Sequence, residues 1–577
     1  MDSNSPTVDQ RIASLESTLR NLETRLAALE SSPPSAATEP LPQVESYEPG
    51  PSLRSSLGLS LADFGRGFLI MAGAFMLRAL ANSEVLPTRI GVGLGLLYAL
   101  LWIFMAGRSG ADRKGHTLLY SGLSALIAFP LLWEAPTRFA ALTPTMAASL
   151  LALVTAFAVV TAWRRRLRIL AWIFTLSAVI TSIGLLFATK AIAPFIGIVI
   201  LLGLSTIWMG YKLKWHGLRW APALSADALI LFLVSISARE EGIPEAWTQI
   251  SIGMAEFLAV SLLLVYLGSF VIRTLIRRRD VTHFEILQSA AALFIGFGGA
   301  ARIAVSSGAG GISLGVAALL AAAACYFVSF VFVDRKLGHG KNFFFFTSLA
   351  LVMVFLGSLL VLKGPALPLT WCALAIASAF LGGRYDRITL RMHSALYALA
   401  AFYTAGAMTL GLRAFMGPAE EALMPLVYLP YLVLMVAAGT YVLLVSTQLK
   451  LSGGELSRTP RFLILTITVF GIAGLLTTLA IQALATLSLH EAIRVAVLSL
   501  AAILLAAVGR KRITLEFSWL AYPVLILAGL KLLLVVLRGG NAITLFVGFA
   551  FFGVALILAP RFLRAAHWRE ALQSVDE

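Results

Sequence analysis

At 577 residues, 59% hydrophobic and only 13% charged, with mean hydropathy +0.88, the chain carries too much apolar surface to hide in a water-soluble core. A net charge of +16 would suggest nucleic acid in a soluble protein, but the basic residues fall in short loops between apolar runs, so no nucleic-acid partner is expected. The two cysteines, Cys325 and Cys372, both sit in apolar runs and exclude a disulfide framework or a zinc-type cluster.

The chain opens with a polar head. Val8, Ile12, Leu15, Leu19, Leu22, Leu26 and Leu29 alternate spacings of four and three, which is a heptad repeat with Ile12, Leu19 and Leu26 at a. Thr7 and Gln10 suit a capping box at its start, and Pro33-Pro34 stop it. Arg11 and Arg25 at g face Glu16 and Glu30 at e in a parallel pair. Residues 1–32 are therefore expected to form a cytoplasmic coiled-coil helix. Its seam over residues 7–30 would join a second copy or a helical protein partner. A lone amphipathic helix is the alternative, because about three heptads is the lower limit for such a seam. Residues 33–60, rich in Pro, Ser and Glu, read as a flexible linker. No cleaved leader is expected in so polar an opening, leaving the first span as its own insertion signal.

From Leu61 to Pro560, apolar runs of a length suited to a ~30 Å hydrocarbon layer alternate with short charged loops. They predict about eighteen spans, among them 61–80, 218–237, 247–272, 284–306 and 392–412, and a cytoplasmic tail over 561–577. Loops after even-numbered spans are basic throughout: Arg164-Arg165-Arg166, Arg277-Arg278-Arg279 and Arg510-Lys511-Arg512 are examples. Their Lys and Arg outnumber those of the opposite loops roughly fourfold, which places even loops, the head and the tail on the cytoplasmic side.

Basic loops recur at a regular interval, so the predicted unit is an out-and-back hairpin used nine times. Each hairpin also has a cation near its outer end. Arg78, Arg302, Arg494, Lys531 and Arg538 form a candidate outer cationic rim. Two readings fit them: snorkelling to headgroup phosphates, or a rim that holds an anionic lipid or glycan carrier. The regularity alone does not choose between them.

The stretch Phe64 to Leu80 reads Phe-Gly-Arg-Gly-Phe-Leu-Ile-Met-Ala-Gly-Ala-Phe-Met-Leu-Arg-Ala-Leu, followed by Pro87, Arg89 and a Gly-rich second span from Gly91. Behind a leucine-heptad head, this resembles the bacterial predicted membrane proteins grouped as domain of unknown function 2339. The resemblance is specific over about residues 61–105. It implies a many-span inner-membrane protein and brings no reaction and no catalytic residue.

Tests for chemistry fail. His490-Glu491-Ala492-Ile493-Arg494 lacks the second His that a zinc protease helix needs, and Gly338-His339-Gly340-Lys341-Asn342 lacks the upstream Gly and following Ser or Thr of a phosphate loop. Gly91, Gly93 and Gly95 lie in a span, where they suit close helix packing. No catalytic residue, metal or cofactor is expected.

Two acids stand inside spans. Asp227 falls about halfway along the seventh and Glu256 near the middle of the eighth, so one hairpin is expected to bring two carboxyls to similar depth. A charged carboxylate there costs about 2.5–3.5 kcal/mol on insertion scales. Such a pair suits a proton or cation site; the alternative is a protonated or Arg-paired acid that glues helices together. The expected fold is all-α and polytopic. The leading functional expectation is a transporter-like or lipid- or glycan-carrier-handling protein of the envelope, in contact with membrane lipids. A scaffold that recruits partners through its head ranks second, and an integral-membrane enzyme third.

Overall fold

The computed structural model describes residues 20, 61–82, 87–109, 114–239, 241–308, 311–331, 340–417, 428–447, 458–484, 489–510, 514–537 and 542–576. The coiled-coil head and linker, Arg20 apart, lie outside them. Among the described residues every regular element is helical. In chain order they are α1 (Leu61–Asn82), α2 (Thr88–Ser109), α3 (Lys114–Thr137), α4 (Pro144–Arg165), α5 (Arg168–Thr189), α6 (Ala193–Leu213) and α7 (Trp220–Ser237). Next come α8 (Ile252–Ile276), α9 (His283–Ser306), α10 (Ile312–Val331), α11 (Gly340–Val361), α12 (Ala366–Arg384), α13 (Ile388–Thr404) and α14 (Ala407–Met416). The series closes with α15 (Tyr428–Thr447), α16 (Thr459–Ala483), α17 (His490–Val508), α18 (Leu515–Val536) and α19 (Ala542–Asp576).

Sixteen of these helices are long and apolar enough to cross a bilayer, and the bent pair α13–α14 makes a seventeenth. This defines a membrane-embedded, multi-pass helical protein. The expected first span, α1, is a 22-residue helix that is not among the sixteen, and its side chains at 77, 78 and 80–82 lie outside the described residues. The expected straight span over 392–412 is broken. Gly406 takes the left-handed conformation (φ +78°), its N–H returns to the Tyr403 carbonyl, and α14 departs at 64° from α13. The span expected over 247–272 starts five residues late, at Ile252. Ahead of it, the Gln249 amide donates to the carbonyls of Ile243, Pro244 and Trp247, and Thr248 N–H donates to the Lys190 carbonyl, so this stretch is satisfied as a loop.

Extensive packing among the described residues joins helices at most three places apart in the chain, and the apolar core there divides into three large clusters with smaller ones beside them. Among the closest pairs are four joined by a basic loop, α2 on α3, α10 on α11, α12 on α13 and α17 on α18, together with α17 on α19, which no single loop joins. Small residues explain the close approach: a Cβ on Gly357 of α11 would fall 2.8 Å from the Gly315 carbonyl oxygen of α10. Four of these close pairs are offset by one helix from the out-and-back units that the loop rhythm suggests.

Candidate functional site

The helix ends that carry Arg164–Arg168, Lys212–Arg219 and Arg273–Arg279 mark a basic end of the bundle, from which a line of polar side chains runs inward. It begins where Thr282 caps α9. Thr282 donates to Glu285 Oε2 from both its backbone N–H (2.7 Å) and its hydroxyl (3.0 Å). Glu285 is fully buried; Tyr211 of α6 donates to its Oε1 at 2.7 Å, and Arg273 of α8 forms an ion pair with its Oε2. Arg273 also donates to the Asp280 carbonyl (3.1 Å), and its guanidinium lies 5.0 Å from the centre of the Tyr211 ring. Outside the spans, burial followed by the charges of Arg219, Arg273 and Lys214 pushes the His216 imidazole below its usual value. Burial does the same to Arg219, whose guanidinium sits 4.1 Å over Phe284.

One turn deeper on the same face of α9, Gln288 Nε2–H donates to Asp227 Oδ1 of α7 at 2.9 Å. Asp227 is 6% exposed. Beside it, on α8, stands Tyr266, fully buried, with a hydroxyl that has no hydrogen-bond partner and that lies within electrostatic reach of Asp227. Room for that ring comes from Gly203 of α6, where a Cβ would fall 2.2 Å from the Tyr266 oxygen. Just beyond Gln288, α9 widens into a π-helical turn over Ala292–Phe297. Such turns recur at functional sites.

The environment of Asp227 differs from that of the other buried acids. Glu285 has Arg273. Glu516 has Arg461, at 2.9 Å and 3.1 Å through two guanidinium nitrogens. Asp63 has Arg66 at 2.9 Å and His116 at 3.4 Å. Asp227 has one neutral amide, and no cation lies within ion-pair distance of it among the described residues.

Glu256 is placed elsewhere. Asp227 lies ten residues from the far end of α7 at Ser237, ~15 Å, whereas Glu256 lies four residues from the matching end of α8, ~6 Å. It is half-buried, and no hydrogen bond joins it to Asp227. The two carboxyls therefore stand at different depths, a consequence of the late start of α8.

Of the expected cationic rim, Arg494 and Lys531 come together. Both bind Glu491: Arg494 Nη1 on Oε1 and Lys531 Nζ on Oε2 at 2.9 Å. Arg494 is 2% exposed and also donates to the Gly417 carbonyl, which fixes it inside the helix packing. Arg302 is exposed near the end of α9. The Arg78 side chain and the whole of Arg538 lie outside the described residues. Sequence reasoning missed Glu285, Gln288, Tyr211 and Tyr266 as neighbours of the acid, although Thr282-x-x-Glu285 is a capping signature and Gln288 follows Glu285 by one turn. It met Glu491 only as a failed zinc motif.

No protein-family model, curated protein or solved structure matches the chain. Among the described residues no group of three or more His, Cys, Asp or Glu side chains is placed to hold a metal ion.

Proposed function

We propose that this is a transporter-like protein of the cell envelope in which Asp227 carries a proton through the membrane interior. The observation that supports the reading is the uncompensated environment of Asp227, buried among apolar helices with the Gln288 amide as its hydrogen-bond donor. A carboxylate without a counter-charge is costly in that setting, so the group is stable when it holds a proton and reactive when it releases one. Tyr211, Glu285 and Gln288 give the proton a polar line from the basic end, and Glu256 is the next carboxyl toward the other end. The cargo is a small solute or a lipid-linked carrier, the latter engaged by outer cations such as Arg302.

Three further elements belong to the same proposal. The chain is a member of the many-span family it resembles over residues 61–105. It resides in the cytoplasmic membrane with both termini inside. Its head self-associates through residues 7–30.

The test is complementation of a deletion strain by Asp227→Asn and Glu256→Gln, each at matched membrane abundance. Both changes keep size and hydrogen bonding while removing the titrating group. Loss of rescue with Asp227→Asn is expected; full rescue by both variants refutes the transport reading.

A further inference from the structure

Between α9 and α11, at the basic end, lies an open groove of about 500 Å³. Its lining on α11 runs from Lys341 to Val352 and on α9 from His283 to Phe294, twelve residues or ~16 Å of helix on each side. That is about half of a ~30 Å hydrocarbon layer, the depth of one leaflet. The leaflet concerned is the one adjoining the basic loops.

The chemistry of the walls changes with depth. At the mouth stand the exposed cation Lys341 and the exposed imidazole His283. Deeper, the walls are apolar: Leu293 and Phe294 on one side, Phe345, Leu349 and Val352 on the other. The Arg277–Arg279 loop is held at this mouth because Asn342, fully buried beside Lys341, staples it. It accepts from Val281 N–H at 2.9 Å and donates to the Arg279 carbonyl at 3.1 Å, tying the Arg277–Arg279 loop to the head of α11. Two serines interrupt the apolar wall, the exposed Ser348 on α11 and Ser289 on α9. Ser289 is 3% exposed, lines the groove, and its hydroxyl has no hydrogen-bond partner. It lies six residues below His283, at the level of a glycerol ester beneath a headgroup phosphate.

We infer that this groove holds one anionic glycerophospholipid of that leaflet. Its phosphate sits at Lys341 and His283, an ester carbonyl accepts from the Ser289 hydroxyl, and one acyl chain fills the apolar walls down to Val352. A cation at the mouth selects the headgroup charge, as basic pockets between membrane helices do. The aromatic and aliphatic walls select only for chain. The lipid thereby completes the α9–α11 flank beside the helix that carries Glu285 and Gln288.

The test counts lipid retained per chain. The full-length protein is purified from bilayers of equal phosphatidylglycerol and phosphatidylcholine, washed in detergent, and weighed by native mass spectrometry. Wild type is expected to keep about one phosphatidylglycerol per chain. Lys341→Glu, at an exposed position that spares folding, should lower the preference for phosphatidylglycerol roughly fivefold or more. Ala290→Trp, which fills the groove, should release lipid of either headgroup. Equal retention of both lipids by wild type, or an unchanged preference in Lys341→Glu, overturns the inference. Phosphatidylglycerol still held by a folded Ala290→Trp protein overturns it as well, since the lipid then binds elsewhere.

Discussion

The same isosteric change, acid to amide, should have opposite effects on stability at Glu285 and at Asp227, the acid held by Gln288 one turn further along α9. Glu285→Gln removes the carboxylate that pairs with Arg273, whose side chain is 18% exposed, and weakens the cap that Glu285 forms with Thr282. Orphaning a buried cation costs about 3–5 kcal/mol, and the residual exposure of Arg273 puts the loss near the lower figure, ~3 kcal/mol. Asp227→Asn orphans no cation. Its new amide still accepts from Gln288 through the retained oxygen, and the desolvation cost of an acid disappears. Its stability should equal or exceed that of wild type. The assay is thermal unfolding of purified protein in one detergent, followed by tryptophan fluorescence. A third variant, Arg273→Met with Glu285→Leu, removes both charges and should recover much of the loss, as replacing whole buried ion pairs often does. If Asp227→Asn lowers the melting temperature as far as Glu285→Gln, then Asp227 is a structural ion-pair member and the contrast drawn between the two acids is wrong.

Other expectations are open to direct measurement. Reporter fusions after Arg279 and Lys511 should read as cytoplasmic, and fusions near Glu241 and Glu420 as external; an external signal at Arg279 would break the positive-inside assignment. A peptide of residues 1–32 should be partly helical and weakly associating, and Leu19→Pro should abolish both properties; sedimentation as monomer with coil-like circular dichroism would remove the head from the account. Gly357→Val should lower the melting temperature by the equivalent of about 1–3 kcal/mol, because its branched side chain meets the Gly315 carbonyl oxygen and Leu319; an unchanged value would show that α10 and α11 need no close approach.

Helix number and order were legible in the sequence because each span is an apolar run near twenty residues long, and lipid tolerates little else. Ends were less legible. The stretch before Ile252 is apolar enough to extend α8 on paper, yet Gln249 satisfies three carbonyls there and holds a loop. The break at Gly406 escaped notice because glycine inside a span usually serves packing, and only its left-handed φ shows that it ends a helix. Asp227 stood out by being an acid in an apolar run. Its partner did not, since Gln288 lies 61 residues away and opens a span through a stretch, His283-Phe284-Glu285-Ile286-Leu287-Gln288, that looks like interfacial sequence. Contacts of that kind depend on which helices are neighbours, and hydropathy is silent about that.

The pairing of Asp63 with Arg66 and His116 bears on how the protein is made. Helix α1 is synthesised before α3 and carries Asp63, an acid that is costly to bury without partners. His116 belongs to α3, which is synthesised about fifty residues later and whose hydropathy qualifies it to cross unaided. Asp63 is 4% exposed in the finished protein, a burial that α3 helps to supply. The second partner of this acid thus arrives only with the third helix, while most of the chain has still to be made.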